Sequence, residues 1–350
     1  MSTVLYRKYR PTKFKEVVGQ EHIVSSLEEQ IKAGNFAHAY LFCGTRGTGK
    51  TSVARIIAEA LGCSLKDLYE IDAASNTGVD DIRELRDGVR SLPFESKIKV
   101  YIIDEVHMLS KSAFNALLKT LEEPPAHVVF ILATTELHKV PETVVSRCQL
   151  HLFRQPPVET LVQVVTKIAK KEGYTIEKEA ANMVATLGAG SFRDTLGVLQ
   201  KVLSSTKSSN EVTVLDARAV TGEPESNLVL NFLTALLETD SGQALAIVKN
   251  ISNQSGDIKI FTRRVLDNLR QVMLIKYAPD MISDIKKNTL ADVYGQLEVL
   301  AGHKSADKIS AVLKELLEAY DAIGTTYMTE LPLELGVVNI CQRLGVKNNS

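Results

Sequence analysis

Three stretches of this sequence predict an α/β fold built on a parallel sheet and followed by a helical remainder. The first, Gly44-Thr45-Arg46-Gly47-Thr48-Gly49-Lys50-Thr51, fits the phosphate-loop pattern of Gly, four residues and Gly-Lys-Ser/Thr. It lies between a short apolar run, Ala39-Tyr40-Leu41-Phe42, and a helical spacing of Val53, Ile56, Ile57, Ala60 and Leu61. The second, Val100-Tyr101-Ile102-Ile103-Asp104-Glu105, leads four apolar residues into two carboxylates, as a strand buried on both faces would at its C-terminal end. The third is a change of pattern: after Pro156-Pro157 the strand signals stop.

The chain begins polar and basic, with Arg7, Lys8, Arg10, Pro11, Lys13 and Lys15, and this stretch closes on Val17-Val18-Gly19-Gln20. Ile23, Leu27 and Ile31 mark a helix that stops at Gly34-Asn35. At the glycine-rich turn, backbone N–H groups and the positive end of the helix dipole would face a phosphate. Lys50 would reach the β- and γ-phosphates, and the Thr51 hydroxyl would bind Mg²⁺. Leu68-Tyr69-Glu70-Ile71-Asp72 reads as a short strand, followed by the polar turn Ser75-Asn76-Thr77-Gly78 and a helix over residues 80–92, ended by Pro93.

Asp104 would hold Mg²⁺, mostly through water, and Glu105 would orient or deprotonate an attacking water. Phe114, Leu117, Leu118 and Leu121 form one face of a helix that stops at Pro124-Pro125. Val128-Val129-Phe130-Ile131-Leu132-Ala133 is another buried strand, ending in Thr134-Thr135. A polar residue at that tip either contacts a γ-phosphate or an attacking water, or simply ends the strand. Ser146-Arg147-Cys148 precedes a final strand over residues 149–153, and spacing alone gives Arg147 no role. Arg147 has no acidic neighbour within four positions, so it is expected to be unpaired.

Helical spacings follow: Leu161, Val164, Val165 and Ile168, then Ala180, Val184 and Leu187, then Leu196, Leu199, Val202 and Leu203. Ser191 is suited to cap the third helix, with Asp194 three residues on. Arg193 lies in its first turn, where a cation opposes the helix dipole, and this hints at an anionic partner. Residues 204–210 form a polar connector, and Thr221-Gly222-Glu223-Pro224 reads as a domain boundary. The expected division is 1–157 for the α/β domain, 158–222 for a three-helix domain and 223–350 for an all-α domain. In the last, Ile309, Val312, Leu313, Leu316, Leu317, Tyr320 and Ile323 make an apolar stripe wide enough to pack on two sides.

The 350 residues are 45% hydrophobic, enough for two or three cores, and their formal net charge is −1. Any nucleic-acid surface must then be a local stripe and not a global field. Cysteines 43, 63, 148 and 341 show no C-x-x-C spacing, which argues against a structural zinc and a disulfide framework. No secretory core and no membrane-spanning run is seen, so the chain reads as cytoplasmic, with no membrane partner.

The layout of an α/β nucleotide domain, a small helical domain and a helical C-terminal domain is that of many AAA+ ATPases. Longer motifs narrow it. Arg7-Lys8-Tyr9-Arg10-Pro11, Val17-Val18-Gly19-Gln20-Glu21-His22, His38-Ala39-Tyr40-Leu41-Phe42 and Asp72-Ala73-Ala74-Ser75 resemble the bacterial DNA polymerase III gamma/tau family. So do Ile103-Asp104-Glu105-Val106-His107-Met108-Leu109, residues 114–125, and Ala133-Thr134-Thr135. Ser146-Arg147-Cys148 is shared more widely among clamp-loader subunits. The resemblance is dense from residue 4 to about 200, and beyond it Glu330-Leu331-Pro332-Leu333-Glu334-Leu335 is the best anchor.

The resemblance implies an ATP-hydrolysing clamp-loader subunit of the DNA polymerase III holoenzyme, using ATP and Mg²⁺. Its implied partners are sibling subunits in a hetero-oligomeric, pentameric spiral, the ring-shaped sliding clamp and primer-template DNA. Thr135 looks like the sensor 1 residue and Arg193 like sensor 2, acting from the lid. Arg147 looks like an arginine finger for the neighbouring subunit's ATP. Arg10-Pro11 and Val17-Val18 resemble the stretch near the adenine, and residues 80–94 the region that touches the clamp. Ser75, Asn76, Thr77 and the following helix N-terminus are the candidates for DNA phosphates.

One departure stands out. The family usually has a zinc-binding cysteine cluster here, and only Cys63 remains, so no zinc is expected. Two other readings compete: a non-catalytic structural subunit of the same machine, and an ATP-driven DNA motor such as a branch-migration helicase. Intact Lys50, Thr51, Asp104 and Glu105 weigh against the first, and the absence of a recognisable DNA-binding appendage weighs against the second.

Overall fold

The computed structural model describes residues 4–75, 85, 88–206, 210–222, 224–253, 256–289 and 291–345. The chain divides into two units, Met1–Ala217 and Arg218–Ser350.

The first unit is organised by five parallel strands: β1 (Ala39–Cys43), β2 (Leu68–Asp72), β3 (Lys99–Asp104), β4 (Val128–Thr134) and β5 (Gln149–Leu152). Their spatial order is β2-β3-β4-β1-β5. Alternation along each strand sends side chains to opposite faces, and two cores result. Tyr40, Phe42, Val100, Ile102 and Ile131 face α2 (Glu21–Lys32) and α3 (Lys50–Ala60), meeting Leu27, Val53 and Ile57. Leu41, Tyr101, Ile103, Phe130 and Leu132 face α4 (Lys111–Glu122) and α5 (Glu142–Val145), meeting Phe114, Leu117, Leu121 and Val144. All seven residues of β4 are buried, which is why the six before Thr134 are an unbroken apolar run. Each large side chain so buried contributes about 1.5–3 kcal/mol. On α3, Ala54 and Ala58 join Val53, Ile56 and Ile57 inside, while Ala60 stays exposed, so the buried face is shifted from the one expected.

Three helices follow: α6 (Val158–Lys171), α7 (Lys178–Leu187) and α8 (Phe192–Ser205). The Ser191 hydroxyl accepts the Asp194 N–H at 3.2 Å, as the cap predicts. Strands do not stop at Pro157, contrary to expectation. Thr175–Ile176 (β6) and Glu211–Val212 (β7) form a parallel ladder, too short to show a period of two. A fourth helix, α9 (Val214–Thr221), contains the division between the units. The N-terminal segment returns to this region: α1 (Leu5–Lys8) donates its Leu5 N–H to Gln200 of α8 at 3.0 Å. Its Lys8 reaches Glu172 at 2.7 Å.

The second unit contains seven helices among its described residues: α10 (Ser226–Leu237), α11 (Ser241–Asn253), α12 (Ile258–Tyr277), α13 (Ile282–Asn288), α14 (Ala291–Ala301), α15 (Ile309–Ala322) and α16 (Leu331–Gly345). Phe232 and Phe261 meet edge-to-face at 5.2 Å within one core that includes Leu269, Leu297, Leu316 and Val337. On α15, Ile309, Val312 and Leu316 are buried and Leu313 packs against that core, whereas Leu317 is 51% exposed. No helix among the described residues is long and apolar enough to cross a membrane.

Candidate active site

The loop from β1 to α3 runs at the C-terminal edge of the sheet, and its glycines are needed for two reasons. Gly47 (φ 76°) and Gly49 (φ 105°) have left-handed backbones. A Cβ on Gly47 would also lie 1.9 Å from the Ser191 hydroxyl, because α8 begins against the loop and Phe192 N–H donates to the Gly47 carbonyl at 3.0 Å. Among the described residues, the backbone N–H groups of Thr45, Arg46, Gly47 and Gly49 meet no acceptor. Four donors left open in one turn suit an anion with several oxygens.

Lys50 is 6% exposed, and its ammonium donates to the carbonyls of Gly44 (2.7 Å) and Thr45 (3.0 Å). Burial pushes its pKa down, opposed by the carboxylates of Glu105 and Asp104. At the end of β3, Asp104 Oδ2 accepts the Thr51 hydroxyl at 2.8 Å. This pairs two hard oxygen ligands, the donor type Mg²⁺ prefers.

Glu105 follows in a left-handed conformation (φ 49°, ψ 43°), a backbone strain of about 1–3 kcal/mol for a residue with a Cβ. Its Oε2 accepts the Thr135 hydroxyl at 3.1 Å from just past the tip of β4. Thus β1, β3 and β4, adjacent in the sheet, deliver Lys50, Asp104 with Glu105, and Thr135 to one edge.

A cavity of about 530 Å³ opens there. Of the residues expected from sequence, Arg10, Pro11, Val17, Val18, Arg46, Gly47, Thr48, Gly49, Lys50, Thr51, Asp104, Glu105 and Arg193 line it; Gly44, Thr45, Thr135 and Arg147 do not. Sequence reasoning gave no role to Tyr6 and Tyr9, two aromatics three residues apart in a basic stretch of which only Arg10-Pro11 was placed near the adenine, and read Val164, Ile168 and Leu196 only as helix core. Arg193 stacks over the Tyr6 ring at 5.1 Å, and Tyr9 donates its hydroxyl to Glu172. Burial pushes the Arg10 pKa down, and Arg55, Arg7 and Arg193 push the same way against Glu70. Arg10, Arg46, Lys50 and Arg193 share the cavity lining with Glu16, Asp72, Asp104 and Glu105.

Arg147 is outside this cavity, and it is not unpaired. Its Nη2 lies 2.7 Å from Glu122 Oε1, and its Nη1 donates to the Thr143 carbonyl at 2.7 Å. The partner escaped notice because it comes from α4, far away in sequence. Ser75 is exposed in the turn after β2, where its N–H donates to the Asp72 carbonyl at 3.1 Å. Asn76, Thr77 and most of the helix expected over 80–92 lie outside the described residues. The four cysteines are free, and among the described residues no group of three or more His, Cys, Asp and Glu is arranged to hold a metal.

Comparison with known proteins fits this geometry. The family model described as DNA polymerase III, delta subunit, matches residues 19–74 and 64–157, and that of DNA polymerase III subunits gamma and tau domain III matches 212–348. The gamma subunit of Buchnera aphidicola subsp. Baizongia pistaciae is 37% identical over 305 residues, covering 81% of this chain and 82% of that one. The chain belongs to the DNA polymerase III gamma/tau family. This gamma/tau chain is also 37% identical over 359 residues to the tau subunit of Bacillus subtilis, and spans 63% of that longer protein. Among solved structures, the Thermotoga maritima RuvB Holliday junction branch migration motor has a TM-score of 0.54 at 23% identity, over 66% of this chain and 80% of that one. That likeness shows the shared AAA+ fold and no more.

Proposed function

We propose that this gamma/tau-family chain is an ATP-hydrolysing clamp-loader subunit that helps open a sliding clamp and set it on primer-template DNA. The observation that carries the reading is the convergence of Lys50, the Thr51–Asp104 pair and Glu105 on one cavity behind a loop of open N–H donors. The loop and Lys50 bind the triphosphate, and Lys50 turns from the carbonyls of Gly44 and Thr45 to the phosphates. Thr51 and Asp104 would hold Mg²⁺, which would supply charge neutralisation for the phosphates. Glu105 takes the proton of the attacking water, and Thr135 orients its carboxylate. Val17, Val18, Val164, Ile168 and Leu196 offer the adenine an apolar wall. Arg193 reaches phosphate from the lid, residues 158–222, and Arg147 serves the neighbouring subunit in a spiral held together by residues 223–350.

Contact with the clamp is assigned to Leu92 and Phe94, which are 79% and 76% exposed. DNA is assigned to the turn containing Ser75, through phosphates, so its binding is insensitive to sequence and falls with salt. A non-catalytic structural subunit would have no use for the assembled Lys50, Asp104 and Glu105. The RuvB likeness carries the fold alone and gives a branch-migration motor no support.

The test is an ATPase assay of the chain with sibling subunits, with and without clamp and primed DNA. Stimulation by clamp and DNA is expected. Tight clamp binding with no hydrolysis in the full assembly would favour the structural subunit instead.

A further inference from the structure

The left-handed backbone at Glu105 has a local consequence. It folds the chain at once into a tight turn, Val106–Met108, closed by Met108 N–H on the Glu105 carbonyl at 2.8 Å. Val106 is fully buried and anchors that turn. The turn swings the ring of His107 back beside the carboxylate two residues before it, where Nδ1 lies 3.5 Å from Glu105 Oε2. The His107 side chain is 6% exposed, so this is not a solvated surface group.

Each ring nitrogen has a polar neighbour. Nδ1 is 3.0 Å from the Thr134 hydroxyl, on a fully buried residue of β4. Nε2 is 3.4 Å from Glu136 Oε1. Thr134 is itself fixed, since its Oγ1 accepts the Glu136 N–H at 3.0 Å. The ring is therefore tied to the tip of β4 on both sides, and Glu105 leans on it.

Both contacts to the Glu105 carboxylate, from Thr135 and from His107, fall on Oε2. Among the described residues Oε1 meets no protein donor, and it is the oxygen left for a water proton. We infer that His107 is a positioning residue: its Nδ1–H, shared between the Thr134 hydroxyl at 3.0 Å and, more weakly, Glu105 Oε2 at 3.5 Å, keeps Oε2 turned to the ring so that Oε1 faces the attacking water. The inference rests on the ATPase reading above and adds to it the group that fixes the base. Displacement of a base by even an ångström costs rate, because proton abstraction depends on its alignment with the water.

Two measurements test it. In the nucleotide-free chain, ¹⁵N-edited spectra of the histidine rings report the contact without any turnover. Glu105→Gln removes the charge beside Nδ1 and is expected to shift that His107 signal, identified by its loss in His107→Ala. In the assembly with clamp and primed DNA, His107→Ala is expected to lower kcat roughly tenfold or more while ATP affinity stays within about twofold. His107→Asn, whose amide N–H stands in for Nδ1–H, is expected to recover most of kcat. An unmoved Nδ1 signal in Glu105→Gln, a wild-type kcat in His107→Ala, or equal losses in the Ala and Asn variants would each overturn the inference. Should the wild-type assembly hydrolyse no ATP, the ATPase reading fails and the inference falls with it, whereas the ring signal separates that outcome from a missing contact.

Discussion

Glu122 holds Arg147: its Oε1 lies 2.7 Å from Nη2 across 25 positions of sequence, with all of β4 between them. The Arg147 and Glu122 side chains keep 34% and 49% of their surface exposed. A pair so solvated stabilises by only about 0–1 kcal/mol, so a phosphate offered by a neighbour can draw the guanidinium away. On the proposed reading Arg147 is thus parked against Glu122 and not committed to it.

The isolated chain is therefore expected to hydrolyse ATP slowly, and faster with sibling subunits, clamp and DNA. Arg147→Ala should retain ATP binding and lose the stimulation, which for fingers supplied in trans is on the order of a thousandfold. Mixing Arg147→Ala with Lys50→Ala chains should restore part of the rate, since an intact finger and an intact pocket then meet at one interface. A dilute monomer running at the assembled rate, or a mixture that recovers nothing, rules the role out.

Lys50→Ala and Glu105→Gln are expected to fail in different ways. Removing the buried Lys50 ammonium takes a charge from the phosphates, so nucleotide affinity falls. Glu105→Gln keeps the shape of the side chain and its contact with Thr135 but loses the base, so ATP still binds and hydrolysis stops. Fluorescent-nucleotide titration and a turnover assay distinguish them, and equal losses of affinity would contradict both roles.

The parts of the site that were legible in the sequence are those built from contiguous residues. The phosphate loop, the strand ending in Asp104-Glu105 and the strand ending in Thr134-Thr135 each announce themselves by local pattern, and the strands form within a residue or so of the expected ends. What escaped is what the sheet order brings together. Nothing near Arg147 points to Glu122, and nothing near Thr135 points to the Oε2 of Glu105, because both pairs join separate elements. Tyr6 and Tyr9 were hidden for a different reason: the surrounding Arg and Lys dominate the reading of that stretch. The β6–β7 ladder is two residues long on each side, below the length at which alternation is visible.

Asp67 predicts an acid limb of stability. It is fully buried and accepts the N–H groups of Phe94, Glu95 and Ser96 together with the Ser96 hydroxyl. Burial alone would raise its pKa, but these donors, the Ser96 hydroxyl first, outweigh burial and hold it well below the usual carboxylate range. A carboxyl depressed on folding adds stability that is fully present above the unfolded value of about 3.9 and is lost as pH falls toward the folded one. The gap in thermal midpoint between wild type and Asp67→Asn should stay constant from pH 8 down to about 5 and narrow below about 4. A gap independent of pH down to acid unfolding would show that the charge of Asp67 does not matter.

The same donors bear on the proposed clamp contact, because they lie on one flank of the exposed pair Leu92 and Phe94. On the other flank Lys99, only 2% exposed, donates to the carbonyls of Gly88 and Ser91 at 3.1 Å and to the Ser91 hydroxyl at 2.9 Å. Two buried charges thus pin the backbone before and after the pair, while both side chains stand in water. A folding chain gains nothing from leaving two large apolar groups exposed, and a pinned loop loses little entropy when it docks, which is what an apolar anchor requires. Leu92→Ala with Phe94→Ala is therefore expected to leave the thermal midpoint and ATP binding near wild type. Clamp affinity should fall by at least tenfold, roughly the loss seen when one good hot spot is truncated. Because the lost contacts are apolar, the fold-loss should be nearly the same at low and at high salt. A double variant that binds the clamp as tightly as wild type would move the contact elsewhere on the chain.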